Sequence, residues 1–119
     1  MRVLLVDDES ELVSALAERL SFRGIEADWS SKCYDALTQM ERKKYDLAVL
    51  DMKMPKMNGI ELKKKMQEKF PDMKFIFMTG HGSEDNYRAG SAEAGADYFL
   101  VKPVDIDTLV EKMNEVLHK

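Results

Sequence analysis

Hydrophobic positions fall in five short runs, separated by segments of helical period. The runs are residues 3–6 (VLLV), 25–29 (IEADW), 47–50 (LAVL), 75–78 (FIFM) and 98–101 (YFLV). Four are nearly solid apolar, as in parallel strands covered on both faces. The second alternates, which predicts an edge strand with one wet face. Between the runs, Leu12, Leu16 and Leu20 repeat every fourth residue, and Gly24 ends that helix. Ala36, Leu37 and Met40 mark a second helix. Asn58, with Glu61 three residues on, forms an N-cap pair opening a third that carries Ile60, Leu62 and Met66. A fourth is expected over 84–94, where Gly90 weakens the propensity. Ile106, Leu109, Val110, Met113 and Leu117 form the stripe of a fifth, capped by Asp105. Five alternations of strand and helix predict an α/β fold, a doubly wound five-stranded parallel sheet with right-handed crossovers. Ligands of such sheets bind at the carboxyl ends of the strands.

Composition narrows the picture. A chain of 119 residues, 45% hydrophobic, predicts one domain with one core spanning residues 1–119. The formal net charge of −4 argues against direct nucleic-acid binding. The Lys63-Lys64-Lys65 run reads as a solvated helix face, because successive helical residues point in different directions. Cys33 is the only cysteine, so no intramolecular disulfide forms; it reads as a packing residue, and a reducing, cytoplasmic setting is expected. No apolar run approaches the ~18 residues of a membrane span, and the first strand begins too near Met1 to leave room for a leader. Trp29 is expected to pack, and His118 to be solvated.

The residues that end the solid runs change the question from fold to chemistry. Strand one ends in Asp7-Asp8, with Glu9 next; strand three ends in Asp51, strand four in Thr79 and strand five in Lys102. A parallel sheet brings these ends to one rim. Like charges packed together raise each other's pKa, so a cation is expected among the acids. Three hard oxygen ligands with room for water suit Mg²⁺.

These residues resemble the receiver domains of two-component response regulators. The matching pieces are VLLVDDES, DLAVLDMKMPKMNGIEL, FIFMTGHGS, AGADYFLVKPVD and the amphipathic tail, together covering residues 2–117. The resemblance implies a flavodoxin-like sheet in the order 2-1-3-4-5, flanked by five helices. It implies that Asp51 is the phosphoacceptor, taking a phosphoryl group from a sensor histidine kinase, a phosphotransfer protein or a small phosphodonor. Asp8, Asp51 and the backbone carbonyl of Lys53 would ligate Mg²⁺ directly, and Asp7 would act mainly through a coordinated water. Lys102 would pair with the phosphoryl oxygens and Thr79 would hydrogen-bond one of them. Pro55 would fix the loop after Asp51. Gly59 would leave access at the start of the third helix, and Gly80 would leave room for the phosphoryl group. The Lys102–Pro103 peptide bond is expected to be cis.

For signalling, the resemblance implies that Thr79 moves toward the phosphoryl group and that Phe99 turns inward behind it. Phe99 has no hydroxyl where many relatives carry Tyr. The output face would be the fourth helix, fifth strand and fifth helix, contacting a downstream protein, an output domain or, on phosphorylation, a second copy. His81 and Lys53 are candidate modulators of phosphoryl lifetime. On this reading the chain is a signalling phosphoacceptor and not an enzyme, beyond catalysing its own phosphoryl transfer and slow autodephosphorylation. The competing class is a Mg²⁺-dependent phosphohydrolase with an aspartyl nucleophile. Such enzymes usually show D-x-D at the nucleophile, whereas Met52-Lys53 follows Asp51 here.

Overall fold

The computed structural model describes residues 1–54, 56–80 and 99–118. Among these, strands β1 (Arg2–Val6), β2 (Glu26–Ser30), β3 (Leu47–Asp51), β4 (Lys74–Gly80) and β5 (Phe99–Lys102) form one sheet, ordered β2-β1-β3-β4-β5. Every pairing is parallel. Helices α1 (Ser10–Ser21), α2 (Cys33–Arg42), α3 (Gly59–Lys69) and α4 (Ile106–Leu117) complete the described elements. The helix expected over 84–94 lies outside the described residues, as do Pro55 and His81.

The solid runs hide a period of two, and each parity feeds one apolar layer. Val3, Leu5, Val49, Ile76 and Leu100 face one side, with Val13, Leu16 and Leu20 of α1 and Leu109, Met113 and Val116 of α4. Leu4, Val6, Leu50, Phe77 and Phe99 face the other, with Ala36 and Met40 of α2 and Leu62 and Met66 of α3. Both faces of the central strands are therefore dry, which is why those runs read as uninterrupted.

Helix ends follow their signals. Gly24 has φ +78°, and the N–H groups of Ile25 and Gly24 donate to Leu20 and Ser21 carbonyls, each at 3.1 Å. This pair of bonds closes α1 in a left-handed cap and turns Ile25 into the core beside Leu20. Asn58 Oδ1 accepts from the Glu61 N–H at 2.9 Å, and Asp105 Oδ2 accepts from the Thr108 N–H at 3.0 Å. Asn58→Ala is expected to cost about 1 kcal/mol in denaturant unfolding, as other N-cap deletions do; an unchanged midpoint would contradict the cap's role.

Two sequence expectations fail here, both through tertiary packing. Trp29 is 38% exposed and only partly packed, because β2 is the sheet's edge and, among the described residues, a strand (β1) flanks it on one side only. Lys63 is only 9% exposed, unlike its exposed neighbours Lys64 and Lys65. Its Nζ stands 6.0 Å from the Phe75 ring centroid, within cation–π range. Cys33 is buried, as expected.

Candidate phosphoacceptor site

The parallel register carries the polar strand ends to one rim. Val6 stands beside Leu50, Asp51 beside Met78, and Gly80 beside Lys102. The ladder continues just past the acids: the Asp7 N–H donates to the Ser30 carbonyl at 3.1 Å and the Met52 N–H to the Met78 carbonyl at 2.8 Å. These bonds hold the backbone on both sides of the site, so the carboxylates stand on rigid strand ends.

Asp7, Asp8 and Asp51 each offer a carboxylate oxygen within 4.8 Å of the others. Asp7 and Asp51 are buried, and Asp8 opens to solvent. The Glu9 N–H donates to Asp7 Oδ1 at 2.9 Å and the Lys53 N–H to Asp51 Oδ1 at 3.4 Å. Lys102 reaches in from β5, its side chain only 10% exposed. Its Nζ stands 2.6 Å from Asp7 Oδ2, 3.3 Å from Glu9 Oε1 and 3.4 Å from Asp51 Oδ1. The sequence thus predicts Asp7, Asp8, Asp51 and Lys102 at one rim, and they meet there. Thr79 is fully buried on β4, its hydroxyl only 3.5 Å from the Gly80 carbonyl, a poor partner. Phe99 is buried in the same layer as Phe77, its register partner on β4. The Lys102–Pro103 bond is cis.

Charge is unbalanced at this rim: Asp7, Glu9 and Asp51 contact one ammonium, and Asp8 adds a fourth carboxylate to the cluster. Burial first, and then the charge of Asp7, push Asp51 up to about 6, although Lys102 and the Lys53 N–H pull the other way. For Lys102, burial works against the ammonium, but the contact with Asp7 and the charge of Asp51 outweigh it and raise its pKa. The donor set also fits a hard divalent cation. Its three clustered carboxylates are hard oxygen donors, and Asp7 Oδ2, fully buried, has the Lys102 ammonium as its counter-charge at 2.6 Å.

The raised Asp51 pKa predicts a pH dependence of stability in metal-free protein. The folded state holds this proton more tightly than the unfolded chain, whose carboxyl has the ordinary value 3.8. The resulting stabilisation is fully present below that value and is lost as pH rises through about 6. With a chelator present, the stability of wild type minus that of Asp51→Asn is expected to fall across this window. A flat or rising difference would be the contrary result.

One of the two glycines beside the site departs from the sequence reading. A Cβ on Gly59 would lie 2.5 Å from the Asp51 carbonyl oxygen and 3.3 Å from Met52 Cα, both backbone atoms. Gly59 therefore allows the start of α3 to abut the end of β3; close packing, not open access, is its demand. Gly80 is less constrained, since its Cβ would meet only Lys102 Cδ at 3.8 Å, an ordinary contact. Sequence reasoning also gave no role to Glu9, although a third acid directly after an acid pair was a visible signal.

Comparison with known proteins agrees with this geometry. Residues 3–114 match the response regulator receiver domain family. The chain is 30% identical over 119 residues to the response regulator MprA of Mycobacterium leprae (strain TN), covering all of this chain and 52% of that protein. It is 33% identical over 117 residues to the transcriptional regulatory protein GlrR of Escherichia coli (strain K12), covering 98% of this chain and 26% of that protein. The chain thus spans about half the length of one curated relative and a quarter of the other. Among solved structures, a CheY-like receiver domain protein from Methanospirillum hungatei JF-1 superposes with a TM-score of 0.86 at 36% identity, covering 98% of this chain and 93% of that one. A receiver domain from Clostridium thermocellum gives 0.87 at 30% identity, covering 98% and 94%. With the acid cluster, the lysine and the strand order all in place, the chain belongs to the response regulator receiver domain family.

Proposed function

We propose that Asp51 is the phosphoacceptor of this receiver, within a single domain spanning residues 1–119. The observation that carries the reading is the position of Asp51, buried at 3% exposure between the other acids and the Lys102 ammonium at 3.4 Å. In the reaction, an Asp51 carboxylate oxygen attacks the phosphorus of a phosphohistidine on a kinase or phosphotransfer protein. A new P–O bond forms as the donor's P–N bond breaks, leaving an acyl phosphate on Asp51 and a free imidazole on the donor. A small acyl phosphate serves equally, losing its carboxylate. The protein's part is to hold the nucleophile in line and to balance charge.

Lys102 balances that charge by pairing with the phosphoryl oxygens, leaving Asp7 and Glu9. The Thr79 hydroxyl, poorly partnered by Gly80, donates to another phosphoryl oxygen. Asp8, Asp51 and the Lys53 carbonyl would hold Mg²⁺, with Asp7 acting through water, and the ion supplies positive charge against the transferring oxygens. Movement of Thr79 loosens the packing behind it, where Phe99 is buried, and so reaches the face made by β5 and α4. Phe99 repacks without gaining a hydrogen bond, having no hydroxyl.

We assign the kinase side of the exchange to a sensor histidine kinase or phosphotransfer protein, and the response to a downstream protein, an attached output domain or a second copy. The setting is cytoplasmic; no helix of the described residues is long and apolar enough to cross a membrane. Slow autodephosphorylation, tuned by Lys53 and His81, ends the signal. The phosphohydrolase reading is not favoured, since the whole fold and residues 3–114 match receivers.

Calorimetric titration tests the ligand roles. Asp8→Ala is expected to weaken Mg²⁺ binding roughly tenfold or more, because one of few hard ligands is lost. An unchanged affinity would remove Asp8 from the site.

A further inference from the structure

Glu9 occupies the N-cap position of α1 and makes no side-chain capping bond. Its carboxylate instead spans to Lys102, 93 residues away in the chain, at 3.3 Å. Glutamate is not among the favoured N-caps; aspartate, one methylene shorter, is. The residue is thus poor for the helix and well sized for the lysine. Of the three carboxylates on the Lys102 ammonium, Asp7 is fully buried and tied by the Glu9 N–H, and Asp51 is the group to be modified. Glu9 is the solvent-exposed partner, its side chain 64% exposed.

We propose that Glu9 is a positioning residue: it draws the Lys102 ammonium away from Asp51, keeps the Asp51 carboxylate open to the cation, and yields Lys102 once a phosphoryl group is present. Without Glu9, Lys102 keeps its 2.6 Å contact with Asp7 but loses its outward partner, leans further onto Asp51, now 3.4 Å away, and competes with the divalent ion for the same oxygens. Once a phosphoryl group carries nearly two negative charges, it outcompetes the exposed Glu9 for the ammonium. The release leaves Glu9 free at the first turn of α1, linking site occupancy to that helix end. The inference rests on the phosphoacceptor reading above and assigns Glu9 a part in it.

Glu9→Asp separates this role from a helix role and from bulk charge, since it keeps the charge, supplies a good cap and shortens the reach. The expected result is a higher thermal midpoint together with Mg²⁺ affinity weakened about two- to five-fold by calorimetry, the range of an exposed ion pair. In a Lys102→Ala background, Glu9→Asp should leave Mg²⁺ affinity unchanged. Wild-type affinity in Glu9→Asp, or an equal loss with and without Lys102, overturns the inference while leaving the phosphoacceptor reading intact. A wild type that neither binds Mg²⁺ nor accepts a phosphoryl group overturns both.

Discussion

Asp51→Asn is expected to accept no phosphoryl group from an acyl phosphate in Mg²⁺ under conditions that label wild type, a loss of roughly a hundredfold or more. The substitution is nearly isosteric, so the packing around β3 should survive. What disappears is the anionic oxygen that attacks phosphorus, since an amide oxygen is a far weaker nucleophile and ligand. Above the Asp51 pKa of about 6, the variant also escapes the penalty of a buried charge near Asp7. It should therefore be at least as stable as metal-free wild type at neutral pH while failing to label. Loss of activity without loss of fold marks a chemical role; labelling at wild-type extent would move the nucleophile elsewhere.

Gly59→Ala should have the largest effect on stability of the single-methyl changes considered. Its Cβ would stand 2.5 Å from one backbone atom and 3.1 Å from another, both of Asp51. No side-chain rotation relieves that clash, so α3 or the end of β3 must move. Overpacking of this kind costs about 1–3 kcal/mol, and each kcal/mol lowers the thermal midpoint by roughly 4–8 °C in a small domain. The shift would also carry the phosphoacceptor out of line, so labelling should slow as well. Gly80→Ala is the matched control: its methyl meets only the flexible Lys102 stem at 3.8 Å and should be mild. Equal midpoints for the two alanine variants would contradict the backbone-contact argument.

The features legible in the sequence were those that local physics dictates. Solid apolar runs revealed the strands because both sheet faces are covered, and the alternating run revealed the edge strand β2. Asn58, Asp105 and Gly24 announced helix ends because capping depends on residues three to five apart. Asp7, Asp8, Asp51 and Lys102 could be gathered because parallel strands place all their carboxyl ends together.

Features set by three-dimensional approach were not legible. Nothing local to the lysine run says that Lys63 folds over Phe75 while Lys64 and Lys65 stay exposed. Gly59 looked like an opening because its contact with the Asp51 backbone forms only when α3 meets β3. Glu9 and Lys102 are paired across the rim where the strand ends converge, far beyond any sequence window. The fold class could therefore be read along the chain, while the detailed roles of side chains beside the site needed coordinates.

The most direct measurement is a peptide-mapped mass spectrum of the protein after exposure to a small acyl phosphate, with and without Mg²⁺. One added phosphoryl group is expected, borne by the peptide containing Asp51 and appearing only when the ion is supplied. A group mapped to any other residue, or uptake indifferent to Mg²⁺, would contradict it.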